Sequence, residues 1–157
     1  MKKIYILRHA EAVSGYDDFN RILSSNGYRQ ALTIGKKLAE ENHKIDKIIA
    51  SAAIRTLTTS EIVAEQIGFD KAQIETFQEL YNATIRIWLN LIHSIDENTK
   101  NVLLVGHNPH ISYLVELLSG EALEGLGTAY LALLETDKKW QEIDKQTAKL
   151  LKVLKPA

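Results

Sequence analysis

The 157-residue sequence contains no cysteine. Disulfides, thiol nucleophiles and cysteine-ligated metals are thereby excluded. Proline occurs twice, as Pro109 and Pro156, and no proline-rich or low-complexity tract suggests a linker. No apolar run approaches the length of a membrane span. The stretch Ile4 to Leu7 is too short for the core of a signal peptide, and charged Arg8 follows at once. The expectation is a cytoplasmic protein without membrane contact. An excess of one charge is also missing: 19 Lys and Arg stand against 20 Asp and Glu, a net of -1. No broad basic field is available to hold nucleic acid or an anionic surface. Any phosphate site must be local, built from a few placed cations.

What remains is an ordinary globular balance, 45% hydrophobic and 25% charged. The length fits one domain over residues 1–157 with a full core. Ile4 to Leu7, Lys47 to Ala50 and Val102 to Val105 read as short buried strands. Gln73 to Phe77 and Thr128 to Leu134 read as further strands. Between them lie four helical patterns: Ser25 to Asn42, Ser51 to Ile67, Thr84 to Ile95 and His110 to Ser119. Ser51 is expected to cap the second helix, with Ile54, Leu57, Ile62 and Val63 inward. Asn108 suits an N-cap and Pro109 a first helical position. Trp140 to Ile143 resembles a strand, and Ala148 to Leu154 fits either strand or short helix. Strands alternating with helices predict an α/β fold, a three-layer sandwich around a mainly parallel sheet.

In such folds ligands bind beyond the carboxyl ends of the strands. Three of those ends carry polar or titratable groups: Arg8-His9, Ser51 with Arg55 a turn later, and Gly106-His107-Asn108. A neutral imidazole is a good nucleophile toward phosphorus. Guanidinium forks match phosphoryl oxygens, and helix N-termini add N–H donors. Phosphoryl transfer needs mainly positioning and charge stabilisation, which this group supplies without metal.

Arg8-His9-Ala10 resembles the Arg-His-Gly signature of the histidine phosphatase superfamily, and Gly106-His107-Asn108-Pro109 its second-histidine motif. The segment from Asp18 through Arg21 and Leu23 to Gly27 is similar to an Asp-x-x-Arg-x-Leu-Ser/Thr-x-x-Gly stretch. The run Ser51-Ala52-Ala53-Ile54-Arg55-Thr56 with Thr59 resembles Ser-Pro-Ala-x-Arg…Thr. Both stretches belong to the short, lidless subgroup that includes the SixA phosphohistidine phosphatases. The resemblance implies a phosphoglycerate mutase-like fold without a lid subdomain and no cofactor or metal. It implies His9 as nucleophile, Arg8 and Arg55 as clamps of the phosphoryl oxygens, and His107, charged beside the phosphate, stabilising the transition state. Arg21 would be a further phosphate contact, while Asn108 serves as a substrate contact or only as a cap. Ala10 and Ala52 depart from the usual glycine and proline.

Members acting on phosphate esters carry an acidic proton donor after the third strand. Here Glu79 is the candidate, with Asn82 the alternative occupant of that place. A missing acid would favour phosphohistidine, whose imidazole leaves more easily than an alkoxide. The expected partner is therefore a phosphorylated protein, with small phosphorylated substrates second and a noncatalytic phosphate-binding protein as the rival. Plainer readings stand for several residues. Arg55 could be a helix-surface residue and Arg21 a loop ion-pair partner. Glu11 more simply holds a neighbouring loop. His43 and His93 read as surface residues, and Trp88 and Trp140 as core. The spacing His107-x-x-His110 could mimic half a metal site, but Arg8 would repel a cation beside His9.

Overall fold

The computed structural model describes residues 1–157. Its centre is a six-stranded sheet in the order β3-β2-β4-β1-β5-β6. The strands are β1 (Lys2–Arg8), β2 (Lys47–Ser51), β3 (Glu75–Phe77), β4 (Asn101–Gly106), β5 (Leu131–Thr136) and β6 (Lys149–Leu154). The first four run parallel, and β5 and β6 are antiparallel additions at one edge. Helices α1 (Ser25–Glu40), α2 (Ile54–Ile67), α3 (Ile85–His93) and α4 (His110–Ser119) connect them.

Alternation along the strands produces the three layers. In β1, Tyr5 and Leu7 face a core shared with Ala31, Ile34 and Leu38 of α1 and Val63 and Ala64 of α2. Ile4 and Ile6 face the opposite core, with Trp88, Leu89 and Ile92 of α3 and Leu114, Val115 and Leu118 of α4. Helices on both faces explain why these strands are continuously apolar. The expected α/β/α sandwich is present. Between β3 and β4 the chain holds a 3₁₀ turn, Gln78–Leu80, and α3, with no inserted lid.

Several local expectations are corrected. Trp140 to Glu142 forms a 3₁₀ turn rather than a strand, because Trp140 is fully buried with its indole N–H on Thr99 O at 2.9 Å. Ala148 to Leu154 resolves as the edge strand β6. Residues 128–130 precede β5 as a turn, and β3 begins two residues later than the pattern suggests. Ser51 does not cap α2, which starts at Ile54 with Ala53 at the cap. The buried side of α2 carries Arg55, Thr56, Thr59, Ser60, Val63 and Ala64. Ile54, Leu57 and Ile62 are only half-buried. Asn108 is not an N-cap either, since Pro109 occupies that position after a cis Asn108–Pro109 bond. His43 is not a free surface residue: its Nδ1 lies 2.8 Å from the buried Tyr5 hydroxyl. His93 Nε2 lies 2.7 Å from Ile143 O, also a structural contact.

The site end of the sheet depends on one close approach. Ser24 caps α1 by accepting from Gly27 N, and Ser24 N donates to Glu11 O. A side chain at Gly27 would place its Cβ 2.0 Å from that same Glu11 carbonyl. Gly27→Ala should therefore destabilise the fold by about 1–3 kcal/mol or more through overpacking against backbone. Urea unfolding checks this, and an unchanged midpoint would refute the tight packing described.

Candidate active site

The sheet order brings three carboxyl ends together. Arg8 of β1 pairs with Gly106 of β4, so the next residues, His9 and His107, emerge side by side. Ala50 of β2 pairs with Val105 of β4, so Ser51 emerges beside them. The His9 and His107 rings lie 5.4 Å apart, centroid to centroid. Gly106 must lack a side chain here, because a Cβ would sit 2.6 Å from the Trp88 ring and 2.7 Å from Ile111.

His9 is 7% exposed, and its Nδ1 lies 2.7 Å from Ala10 O. A carbonyl only accepts, so Nδ1 carries the proton and Nε2 keeps its lone pair when the ring is neutral. Burial holds the His9 pKa down at about 4, against the Ala10 contact and with help from Arg55, Arg8 and Arg21. His107 is held at about 3, first by burial and then by His9 and Arg55, with Asp18 opposing. Both imidazoles are therefore neutral at pH 7 in the free site, while the expected charge on His107 concerns the phosphate-bound site. His107 Nε2 lies 2.8 Å from Ser51 Oγ, which also accepts from Ala53 N at 3.3 Å. The serine expected to cap a helix instead orients the second histidine.

Arg55 is 5% exposed, so the helix-surface reading is wrong. Its Nη1 donates to Asp18 O at 2.7 Å and its Nη2 to Asp18 Oδ2 at 3.1 Å. Arg8 Nη1 donates to Leu126 O at 3.1 Å. Asn108 Nδ2 donates to the same carbonyl at 2.7 Å, and Asn108 Oδ1 accepts from Ser112 Oγ at 2.6 Å. Asn108 therefore ties the loop before β5 to α4 and, through Leu126, to Arg8. Arg21 donates from Nε to Asp18 Oδ1 at 2.9 Å and from Nη1 to Val13 O at 3.1 Å, while its charge is felt at His9. The ion pair with Asp18 matches the loop reading of Arg21. Glu11 holds Ser24 and Asn26 through its carboxylate, as a loop anchor would.

Three buried side-chain nitrogens lack a hydrogen-bond partner: Arg8 Nε, Arg55 Nε and His107 Nδ1. All three belong to this cluster. Glu79 is exposed in the Gln78–Leu80 turn. Asn82 instead lines a cleft of about 170 Å³ with Tyr81, Trp88, His107, Asn108 and His110. No group of three or more His, Asp or Glu side chains is arranged to hold a metal ion, and no helix is long and apolar enough to cross a membrane.

The two departures from the motifs are accommodated. Ala10 is fully buried without positive φ, and its N–H donates to Thr59 Oγ1 at 3.0 Å. Ala52 N donates to Phe77 O at 3.3 Å, a bond that a proline could not make. Asp18 and Thr59 lie in the motif stretches with no role that the sequence assigns, and Ser51 carries only that of a cap. Tyr81 was missed altogether. Its ring stands edge-on to His107 at 5.7 Å and to Phe19 at 5.0 Å, and its hydroxyl donates to Asp18 Oδ2. An aromatic residue in a polar loop after a strand carries no pattern that distinguishes it from core.

The lowered imidazole pKa values make a pH prediction. Unfolded histidines take up protons near pH 6.5, whereas the folded His9 and His107 resist protonation down to about 4 and 3. The unfolded state binds more protons in that window, so stability is full above pH 6.5 and falls as the pH drops toward 4. NMR titration should show both rings neutral at pH 5.5, with urea midpoints declining from pH 7 to 5. Ring titration near 6.5 for either residue would contradict the buried, desolvated site.

Comparison with known proteins identifies the family and the fold. The family model of the histidine phosphatase superfamily (branch 1) matches residues 4–94. A solved structure assigned as phosphohistidine phosphatase SixA from Agrobacterium tumefaciens is 31% identical, covers 99% of both chains and superposes with a TM-score of 0.84. Protein histidine phosphatase SixA complexed with tungstate shares the fold, with a TM-score of 0.86 at 22% identity over 98% of this chain and 97% of that one. A 74-residue segment, 46% of this chain, is 38% identical to the mitochondrial serine/threonine-protein phosphatase Pgam5 of Drosophila yakuba. That match spans only 26% of the Drosophila protein. The chain belongs to the histidine phosphatase superfamily (branch 1).

Proposed function

We propose that this protein hydrolyses phosphohistidine on other proteins, without metal, through a covalent phosphohistidine on His9. The carrying observation is that Arg8 Nε, Arg55 Nε and His107 Nδ1, all buried, lack protein partners around one pair of imidazoles. Buried polar groups require partners, and a phosphoryl group offers several acceptor oxygens to one cluster. The reading takes residues 1–157 as one domain. A cytoplasmic location belongs to it and rests on sequence composition alone.

In this reading His9 Nε2 attacks phosphorus while Nδ1–H stays on Ala10 O. The phosphorus–nitrogen bond of the substrate breaks, and its electron pair goes to the leaving ring. That ring departs as neutral imidazole when its other nitrogen already carries a proton. Water then attacks the phosphorus on His9, the new bond breaks toward Nε2, and both hydrogens of the water leave with phosphate. Arg8, Arg55 and Arg21 neutralise the transferring oxygens. His107 enters neutral, takes a proton from solvent as the dianion binds and returns it to solvent when phosphate leaves, so its charge appears only with the substrate. Asn108 acts by holding the Leu126 loop against Arg8.

The leaving group decides the substrate class. An alkoxide needs a general acid. Glu79 is exposed, and Asn82 is the residue of this segment that lines the cleft beside His107. The absence of a lid leaves the site open to a side chain carried on another protein.

The test is a hydrolysis panel with chelator present, comparing a phosphohistidine protein, a phosphoserine peptide and small phosphate esters. The phosphohistidine protein should show a kcat/KM roughly a hundredfold above the others, with no effect of chelator. His9→Ala should lose roughly a thousandfold or more. Preferential turnover of phosphoserine, the substrate class in the Pgam5 name, or of small esters would overturn the substrate assignment.

A further inference from the structure

Asp18 takes no part in the chemistry above, yet the donors of the site converge on it. Arg55 Nη2 and Arg21 Nε donate to opposite carboxylate oxygens at 3.1 and 2.9 Å. The Tyr81 hydroxyl donates to the oxygen that Arg55 uses. The Asp18 backbone carbonyl accepts Arg55 Nη1 at 2.7 Å. The three donor residues come from the loop after β1, from α2 and from the segment before α3. The Arg55 guanidinium lies 5.9 Å from the Tyr81 ring centroid, and that ring is the edge-on neighbour of His107.

A guanidinium has five N–H groups in a rigid fork. Asp18 engages one on each terminal nitrogen of Arg55. The buried Nε–H and the second hydrogen of each Nη remain for another acceptor. The carboxylate therefore orients the fork without using it up. Tyr81 and both arginines hold the Asp18 carboxyl at about 2, so it remains an anion at neutral pH.

We propose that Asp18 is a positioning residue for the phosphoryl site, holding Arg55, Arg21 and Tyr81 in one arrangement around the transferring group. This rests on reading the cluster as a phosphoryl site. A long arginine side chain released from such a partner regains rotamer freedom and meets its ligand less well oriented. The alternative is purely electrostatic: a carboxylate beside an anion site repels the anion. The two differ in sign. Loss of a positioning residue weakens oxyanion binding, whereas loss of a repelling charge tightens it.

The experiment measures tungstate and inorganic phosphate binding by calorimetry, well below each variant's unfolding temperature. Wild type, Asp18→Ala, Asp18→Asn, Tyr81→Phe and Asp17→Asn are compared. Asp17 is the exposed neighbour whose carboxylate accepts from Asn20, so its variant removes a nearby charge without touching the hub. The tungstate Kd should rise roughly tenfold in Asp18→Ala and kcat/KM should fall roughly 10- to 100-fold. Asp18→Asn should fall in the same direction, Tyr81→Phe should lose a smaller factor of about threefold, and Asp17→Asn should match wild type. If Asp18→Ala does not fold, the isosteric Asn variant and Tyr81→Phe carry the comparison. Oxyanion affinity equal to or tighter than wild type in the folded Asp18 variants overturns the inference. A wild-type protein that binds no oxyanion would overturn the site reading itself, and this inference with it.

Discussion

The site depends on keeping an imidazole neutral among arginines. An exposed His9 would titrate near 6.5 and be partly charged at neutral pH. Burial and the surrounding guanidiniums push it to about 4, leaving Nε2 with a free lone pair. The same guanidiniums that lower its basicity complement the charge of a transferring phosphoryl group. One cluster of positive charge thus prepares the proposed nucleophile and receives its electrophile. Because the whole chain has a net charge of -1, this field is local.

Topology makes that cluster cheap to assemble. β4 lies between β1 and β2, so three strand ends that are far apart in sequence become neighbours. α1 and α2 cover one face and α3 and α4 the other, which opens a crevice where the chain changes sides. Arg55 arrives on the buried side of α2, a side that tolerates polar residues because Thr59 and Ser60 bond back to the helix backbone and Thr56 to the carbonyls of Ser51 and Ala53 just before it. Thr59 then receives Ala10 N–H, linking α2 to the residue after His9. The helix is thus part of the site wall as well as of the core.

Strong apolar strands make the sheet legible in the sequence, and α2 and α4 end at Ile67 and Ser119 as expected, each followed by a glycine, Gly68 or Gly120, in left-handed conformation. His9, His107, Arg8 and Arg55 are legible as candidates, since each lies at or shortly past a strand end, whereas their convergence follows from the strand order. What escaped was whatever depended on long-range partners. The sequence pattern points isoleucine and leucine to the inner face of α2, because apolar periodicity cannot anticipate a polar stripe aimed at a site. Ser51 looked like a cap until β2 placed it against His107. The indole bond to Thr99 turned Trp140 to Glu142 into a 3₁₀ turn. The lowered pKa of His107 is not visible in residue type, because it follows from burial.

The central claim is that His9 Nε2 accepts the phosphoryl group. The most direct measurement is a single-turnover reaction with radiolabelled phosphohistidine protein, quenched rapidly in alkali and mapped by peptide mass spectrometry. The account predicts alkali-stable, acid-labile phosphate on Nε2 of His9 that forms and decays at rates matching turnover. Label appearing directly in inorganic phosphate while His9 stays unmodified, or phosphate trapped on another side chain, would contradict it.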